Sequence, residues 1–412
     1  MKVSAVESNA DRWQRLKKAV AGESLPCALV DLDALDANAL KLNAIARNAN
    51  KSLRLATKSV RCPRLIQMLL DTGGGTVRGL MTYTATETAF LAALGHDDLL
   101  LAYPTAQRSD ADLLAQLSAA GTIVAVVADD DEQLAVLDAA AARAQTTLRI
   151  CMEIDVSYRP VRGVHLGGRR SPLHTAADVT AFAARVRLRA NLCVDSVMGY
   201  EGHIAGVTDN NPFSPLMNAP KRLLKLLAKQ PVASTRADVA NSLAAAGHKL
   251  RVVNGGGTGS LQWASAEDAL TEVSAGSGYL HSHLFSYYRD LELDPAAYFA
   301  LQVVRRPAAG MVTCLGGGYV ASGEAGPDRS PVPAFPAGAS LLPLEGTGEV
   351  QTPLLLPTLP TGSEVKLGDP IFFRHAKAGE LAEHFNEYLL IRGDRIVERT
   401  PTYRGLGRCF LG

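Results

Sequence analysis

The sequence predicts an α/β protein, a (β/α)8 TIM-type barrel followed by a smaller C-terminal β-rich domain. Three observations carry that expectation. From about residue 26, short apolar and β-branched runs alternate with longer helical stretches, the pattern of parallel β-α units. Eight such units fit into about 260 residues, which is the size of a β/α barrel. After about Leu291 the helical stretches give way to short runs that read as antiparallel strands.

Taken in order, residues 1–25 form an N-terminal segment. Its Trp13, Leu16 and Val20 recur at helical spacing, which predicts a short amphipathic helix packing with the β-rich domain, and no apolar signal core precedes it. The barrel is expected over residues 26–290. Its strands are predicted at Leu53 to Thr57, Thr76 to Met81, Asp98 to Tyr103, Thr122 to Ala128, Leu148 to Val156, Ser196 to His203, Leu250 to Gly255 and Thr271 to Ala275. Ala- and Leu-rich stretches such as Ala85 to Leu94, Ala111 to Ala120 and Asp131 to Ala144 supply the helices between them. The β-rich domain is expected over 291–412, with strands at Phe299 to Val304, Met311 to Cys314, Pro370 to Arg374 and Tyr388 to Arg392. Eight prolines between Ser322 and Gly362 predict a long ordered loop or tether over 322–362.

Composition narrows the function classes. At 412 residues the chain exceeds one ordinary core, and 47% apolar residues with a formal charge of only +1 describe a soluble globular protein. Nucleic acid is not an expected partner. The cysteines are far apart with no C-x-x-C pair, which fits a reducing cytoplasm, and no segment is long enough to span a bilayer.

The chemistry is expected at the C-terminal ends of the barrel strands, where barrel active sites sit. Lys58 falls at the end of the first strand, in Ser52-Leu-Arg-Leu-Ala-Thr-Lys58, and Pro63 opens the next helix. A lysine there, its ammonium destabilised by burial or by a cation such as Arg61, can attack an aldehyde; an ordinary solvated lysine fits the strand position equally. The glycine turns Asn254-Gly-Gly-Gly-Thr-Gly259 and Ala275-Gly-Ser-Gly-Tyr279 follow strands seven and eight, the usual barrel position for a phosphate.

On these residues the chain resembles a fold-type III pyridoxal-phosphate enzyme of the D-threonine aldolase and D-serine dehydratase-like branch, whose barrel is of the alanine racemase N-terminal type. The resemblance rests on Pro26-Cys-Ala-Leu-Val-Asp-Leu-Asp33, Lys58, Asp98-Asp-Leu-Leu-Leu-Ala-Tyr-Pro104, Gly199-Tyr-Glu-Gly-His203 and Gly255-Gly-Gly-Thr-Gly259. Tyr158-Arg159, His165-Leu-Gly-Gly-Arg-Arg-Ser-Pro172 and Arg374-His-Ala-Lys-Ala-Gly-Glu380 are similar to the subgroup called amino-acid deaminase/aldolase proteins. The resemblance implies pyridoxal 5'-phosphate held as a Schiff base on Lys58, with phosphate contacts from Gly256, Gly257, Thr258, Gly276, Ser277, Gly278 and Tyr279. It implies Arg159 beside the pyridoxal ring, with Arg162 as a rival, and Tyr200 in the cofactor pocket, where a barrel-interior aromatic is the alternative. A head-to-tail homodimer is implied as well.

The family's divalent metal is bound by a histidine and, two residues on, a carboxylate or thiolate, whereas this sequence has His375-Ala-Lys377. Three explanations stand open: the Lys377 ammonium takes the metal's place; a metal is kept through His375 with Glu380, His384 or His203; or Lys377, Glu380, Glu383 and His384 form the solvated face of a helix. His281-Ser-His283 has metal-like spacing too, with two polar residues at a strand mouth as the plainer reading. His203, His375 and Tyr200 are the acid–base candidates. Arg169 and Arg170 are candidates for the substrate carboxylate, or else a solvated loop. The expected function is a lyase cleaving small β-hydroxy amino acids of D configuration by a retro-aldol reaction; D-serine or D-threonine dehydration comes next, then a racemase, and a pyridoxal-phosphate carrier is the non-enzymatic alternative.

Overall fold

The computed structural model describes residues 7–361 and 364–411 and divides the chain into two compact units. One takes in the chain up to Asn38, Ser59–Leu65 and Ser277–Cys409; the other takes in Ala39–Lys58, Ile66–Gly276 and the end of the chain from Phe410. Helix α1 (Asn9–Ala19), strand β1 (Cys27–Asp31) and helix α2 (Leu32–Asn48) come first. The barrel strands are β2 (Ser52–Ala56), β3 (Val77–Thr82), β4 (Leu99–Leu101), β5 (Val124–Ala128), β6 (Leu148–Glu153), β7 (Leu192–Gly199), β8 (Val252–Gly255) and β9 (Glu272–Ala275). Each pairs in parallel with the next, and β2 with β9, closing an eight-stranded barrel. Between them lie α3 (Pro63–Thr72), α4 (Ala85–Ala93), α5 (Arg108–Ala119), α6 (Asp131–Arg143), α7 (Ala176–Arg187), α8 (Gly202–Ala205), α9 (Asn218–Ala245) and α10 (Leu261–Ser265). Thr84, Asp130 and Thr175 start α4, α6 and α7 by accepting first-turn N–H groups on their side-chain oxygens.

All eight expected barrel strands are present. Four end earlier than predicted, two of them by three residues or more. The run to Val156 stops at Glu153, and the run to His203 stops at Gly199, because Gly202 N–H bonds back to Tyr200 O at 3.0 Å and turns the chain. His203 therefore stands on α8 instead of a strand.

The barrel interior has two characters. Leu100, Ala102, Ala125, Val127, Cys151 and Met198 form an apolar cluster from β4 to β7. On the β2, β8 and β9 side the buried Arg54 guanidinium bonds Glu272, with Nε 2.6 Å from Oε1 and Nη2 3.0 Å from Oε2, and Asn254 Nδ2 donates to Glu272 at 2.8 Å and to Ser274 Oγ at 2.9 Å. Arg54 also reaches Asp98 O at 2.7 Å, passing where a Cβ on Gly79 would lie 2.4 Å from its Nη1, so that position admits only glycine.

In the other unit, after α11 (Ser277–Leu280), the strands are β10 (Ala297–Ala308), β11 (Met311–Leu315), β12 (Val332–Phe335), β13 (Ser340–Leu341), β14 (Gln351–Leu355), β15 (Pro370–Arg374), β16 (Glu387–Arg392) and β17 (Arg395–Pro401). They join β1 in a nine-stranded sheet along β13-β14-β11-β10-β1-β16-β17, with β15 on β10 and β12 on β15. Every pairing is antiparallel except β1 with β16. Phe299, Phe372, Phe373, Tyr298 and Tyr388 fill its core, with the Phe299 and Phe373 rings stacked at 5.2 Å.

Two expectations are corrected here. Residues 26–31, assigned to the barrel, contain the strand β1, which lies between β10 and β16, and residues 277–290 also fall in the β unit. A fully buried strand such as Ala28-Leu-Val30 carries no periodicity to say which sheet it enters. The proline-rich stretch, expected as a loop or tether, contains β12, β13 and β14; Pro333 and Pro353 are paired residues within it, while Gly362 lies outside the described residues. Helix α1 forms as expected. It buries Trp13, Leu16 and Ala19, and its Arg15 and Lys17 bond Asp31 and Asp369, both at 2.7 Å. Among the described residues no helix is long and apolar enough to cross a membrane.

Candidate active site

Lys58 follows β2 in a single turn, Thr57–Ser59, at the C-terminal end of the first barrel strand. Its Nζ donates to Tyr103 Oη at 2.8 Å and lies 5.5 Å from that ring's centroid. Tyr103, just beyond β4, is a neighbour that the sequence quoted within a motif but gave no role. Burial, one of the two means weighed for destabilising the Lys58 ammonium, is not found. The turn carries the side chain out of the strand interior and leaves it exposed, and the Arg61 guanidinium donates to Glu383 at 2.6 Å.

The ends of β6 and β7 supply the other chemical groups of this barrel face. Burial pushes the Tyr200 phenol up to about 12, with the Glu201 carboxylate adding to it, so the hydroxyl is protonated at neutral pH and acts as a donor, not as a base. Its ring forms a wall: a Cβ on Gly257 would lie 3.0 Å from Tyr200 Cε2 and 3.2 Å from Ala205 Cβ. Burial holds the His203 imidazole below its usual range and therefore neutral, and its Nε2 is buried without a hydrogen-bond partner. A neutral ring of this kind can accept or relay a proton.

Arg170 stacks over Tyr200, Cζ to centroid 5.0 Å, with Nη1 3.9 Å from Glu153. Arg159 is anchored by Asp155 at 2.7 Å and contacts His174 at 3.0 Å and His165 at 3.2 Å. Arg162 and Arg169 are exposed on the same loop. Of the sequence-level arginines, the fold brings Arg170 to the Tyr200 wall and ties Arg159 to a carboxylate.

Burial, with Asp129 and Asp155 adding to it and Arg170 opposing it, pushes Glu153 up to about 7. An unfolded glutamate releases its proton near 4.5, so ionising this folded carboxyl costs stability progressively as pH rises from there through about 7. Glu153→Gln should therefore stabilise the protein at pH 8.5, by up to about 3 kcal/mol, and change little at pH 5. Urea denaturation at the two pH values checks this, and equal shifts at both would contradict it.

The two glycine turns are held by side chains within and behind them. Gly256 N–H donates to Glu201 at 3.2 Å, Gly257 N–H to Ser260 Oγ at 3.1 Å, and Gly276 N–H reaches Thr258 Oγ1 at 3.5 Å. The backbone donors of Gly256 and Gly257, expected as phosphate ligands, are thus spent on the loop's own shape. A strand-end amine beside a phenol, a glycine cradle that a Cβ would fill against Tyr200 and a buried imidazole nitrogen, His203 Nε2, without a partner fit a pyridoxal phosphate, which could take Lys58 as anchor and Tyr200 as wall.

The remaining candidates lie in the β unit. Ser277 Oγ is 3.1 Å from Ser59 Oγ; Gly278 and Tyr279 follow it in α11, and the Tyr279 hydroxyl is buried without a partner. His375 is buried, and burial pushes it down to about 4; its Nδ1 receives the Lys377 N–H at 2.9 Å. The Lys377 ammonium lies 3.2 Å from Glu380 and donates to Ser322 Oγ at 2.7 Å. Burial raises the Glu380 carboxyl, but the Ser322 hydrogen bonds and Lys377 outweigh it and leave it lowered. The expected helix through Glu380 and His384 is corrected: α12 (Ala378–Leu381) is four residues long, and His384 lies beyond it, stacked on Tyr319 at 4.6 Å. Glu380 is committed to Ser322 and Lys377, and His281 and His283 separate toward Ser286 and Ser330 O. Among the described residues no group of three histidine, cysteine or acidic side chains is arranged to hold a metal.

The family described as alanine racemase, N-terminal domain, matches residues 30–278. The 3-hydroxy-D-aspartate aldolase of Paracoccus denitrificans (strain Pd 1222) is 27% identical over 252 residues, covering 61% of this chain and 59% of that protein. The D-threonine aldolase of Arthrobacter sp is 24% identical, covering 61% and 60%. The chain thus spans about three-fifths of the length of these curated relatives. Among solved structures, D-threonine aldolase from Filomicrobium marinum has a TM-score of 0.78 at 21% identity, covering 93% of this chain and 95% of that one. D-threo-3-hydroxyaspartate dehydratase from Delftia sp. HT23 has a TM-score of 0.74 at 18% identity, covering 93% and 98%. At such identities the structural likeness speaks for the fold.

Proposed function

Because the chain belongs to the alanine racemase N-terminal domain family of fold-type III pyridoxal-phosphate proteins, we propose that it is a pyridoxal 5'-phosphate-dependent lyase acting on small β-hydroxy amino acids of D configuration at Cα. The observation that carries the reading is Lys58 Nζ at the C-terminal end of the first barrel strand, with glycine turns after β8 and β9 on the same face. Likeness to relatives named as aldolases supports cleavage as the reaction.

When bound, the cofactor supplies an electron sink for the bond broken at Cα. The chain's own residues select that bond. Neutral His203 takes the β-hydroxyl proton as the Cα–Cβ bond breaks, so Cβ departs as an aldehyde carbon, and a proton returned to Cα completes glycine; a well-placed base of this kind contributes roughly 10² to 10⁴-fold. Arg170 binds the substrate carboxylate, and Tyr200 excludes water along the ring. For the positive charge at the β-hydroxyl we assign Lys377 in place of a divalent ion, since an ammonium stands at the motif's second ligand position. The six free cysteines support a reducing compartment, and a homodimer is the assembly we assign.

Product analysis tests the reading. D-threonine should give glycine and acetaldehyde, with activity kept after dialysis against a chelator. 2-Oxobutyrate and ammonia would make the enzyme a dehydratase, recovered L-isomer a racemase, and binding without turnover a carrier. Activity lost on chelation and restored by a divalent ion would replace Lys377 by a metal.

A further inference from the structure

Arg236 lies on α9, outside every motif that carries the resemblance, yet it is 1% exposed and stands directly behind the glycine turn after β8. Its Nη2 and Nε donate to Gly199 O at 2.5 and 3.2 Å, its Nη1 to Glu267 at 2.6 Å, and its Nη2 is paired with Glu201. A Cβ on Gly255 would sit 2.8 Å from Arg236 Cζ, so the first glycine of the turn is fixed by the guanidinium beneath it. Glu201, wholly buried, passes the constraint on: one oxygen accepts Gly256 N–H and the other accepts Ser260 Oγ–H at 2.5 Å. Ser260 in turn receives Gly257 N–H. Three successive glycines are thereby set by one chain of contacts, Arg236 to Glu201 to Ser260.

A glycine-rich turn has many conformations of similar energy, and an anion site needs its remaining donors fixed in one of them before the ligand arrives. We infer that Arg236, acting through Glu201 and Ser260, is a positioning residue that preorganises the turn after β8 for the phosphate of the cofactor. The inference rests on the cofactor reading above. It spends the Gly256 and Gly257 donors on shape and leaves the phosphate to the residues that follow them, Thr258 onward. Arginine is required because a single planar fork spans Gly199 O and two carboxylates at once, which a lysine ammonium at the same place does not.

The test compares pyridoxal phosphate with pyridoxal, which lacks the phosphate, by absorbance titration of the apoprotein. Ser260→Ala removes one link without unbalancing the buried charges, and Arg236→Lys keeps the charge while breaking the fork. Each should weaken pyridoxal phosphate about tenfold, the loss of roughly one well-made hydrogen bond, and leave pyridoxal within about twofold. If Arg236→Lys does not fold, Ser260→Ala alone decides. Equal losses for both ligands, or no loss for either in a folded variant, would overturn the inference. A wild-type protein that gives no Lys58-dependent spectrum with either ligand would overturn the cofactor reading instead.

Discussion

Lys58→Ala should abolish the visible absorbance of the protein loaded with pyridoxal phosphate and lower turnover at least about 10³-fold, because no other group at the first strand end can take over as the amine nucleophile. The fold should survive the change. Lys58 is exposed, and it stands in a one-turn connection after β2, while the neighbouring Leu53 and Leu55 carry the buried packing of that strand. Circular dichroism and the melting temperature should therefore match the wild type while the spectrum is lost. Tyr103→Phe separates anchoring from tuning: it removes the phenol 2.8 Å from Nζ and should retain the absorbance with an altered pH dependence. An unchanged spectrum in Lys58→Ala would remove the basis of the proposed function.

The largest effect on stability is expected from Arg54→Met. The guanidinium is 1% exposed and is shared by the 2%-exposed Glu272 and by Asp98, so its loss leaves a carboxylate in the barrel interior with no cation to balance it. Breaking a buried pair from one side costs about 3–5 kcal/mol. Asp98 keeps a second partner, Arg251 at 2.9 Å, so the penalty falls mainly on Glu272. Arg54→Met combined with Glu272→Met should recover much of the loss, since two apolar side chains then replace the pair. Urea denaturation of the single and double variants measures both; a single-variant loss below about 1 kcal/mol would mean that water reaches this part of the barrel.

The barrel was legible because each of its strands is announced by a short apolar run and each helix by three- and four-residue spacing. Arg54 did not disguise β2, since Leu53 and Leu55 keep the outward face of that strand apolar. β1 was misassigned because its order in the chain, next to the barrel, says nothing of its pairing with β10 and β16. Prolines hid β12 and β14, where Pro333 and Pro353 occupy paired positions despite lacking an N–H. Among the proposed site residues, Lys58, Tyr200 and His203 are suggested by strand ends and motifs, and the fold places Lys58 just after β2 and Tyr200 and His203 just after β7. Tyr103 and Arg236 are not so suggested, because their roles arise from contacts across 45 residues to Lys58 and 35 residues to Glu201 that no local spacing encodes. Glu153 was equally silent: one acid at a strand end becomes unusual only when folding buries it, with Asp129 and Asp155 adding to the effect.

The position of β1 bears on how this protein can be made and cut. Its residues are translated before any of the barrel, yet both of its neighbours, β10 and β16, come after the barrel is complete. The ribosome therefore releases a strand that must wait for most of the polypeptide before its edges are covered. A fragment beginning near residue 291 lacks the middle of its own sheet, and should aggregate when expressed alone yet become soluble on co-expression with residues 7–38.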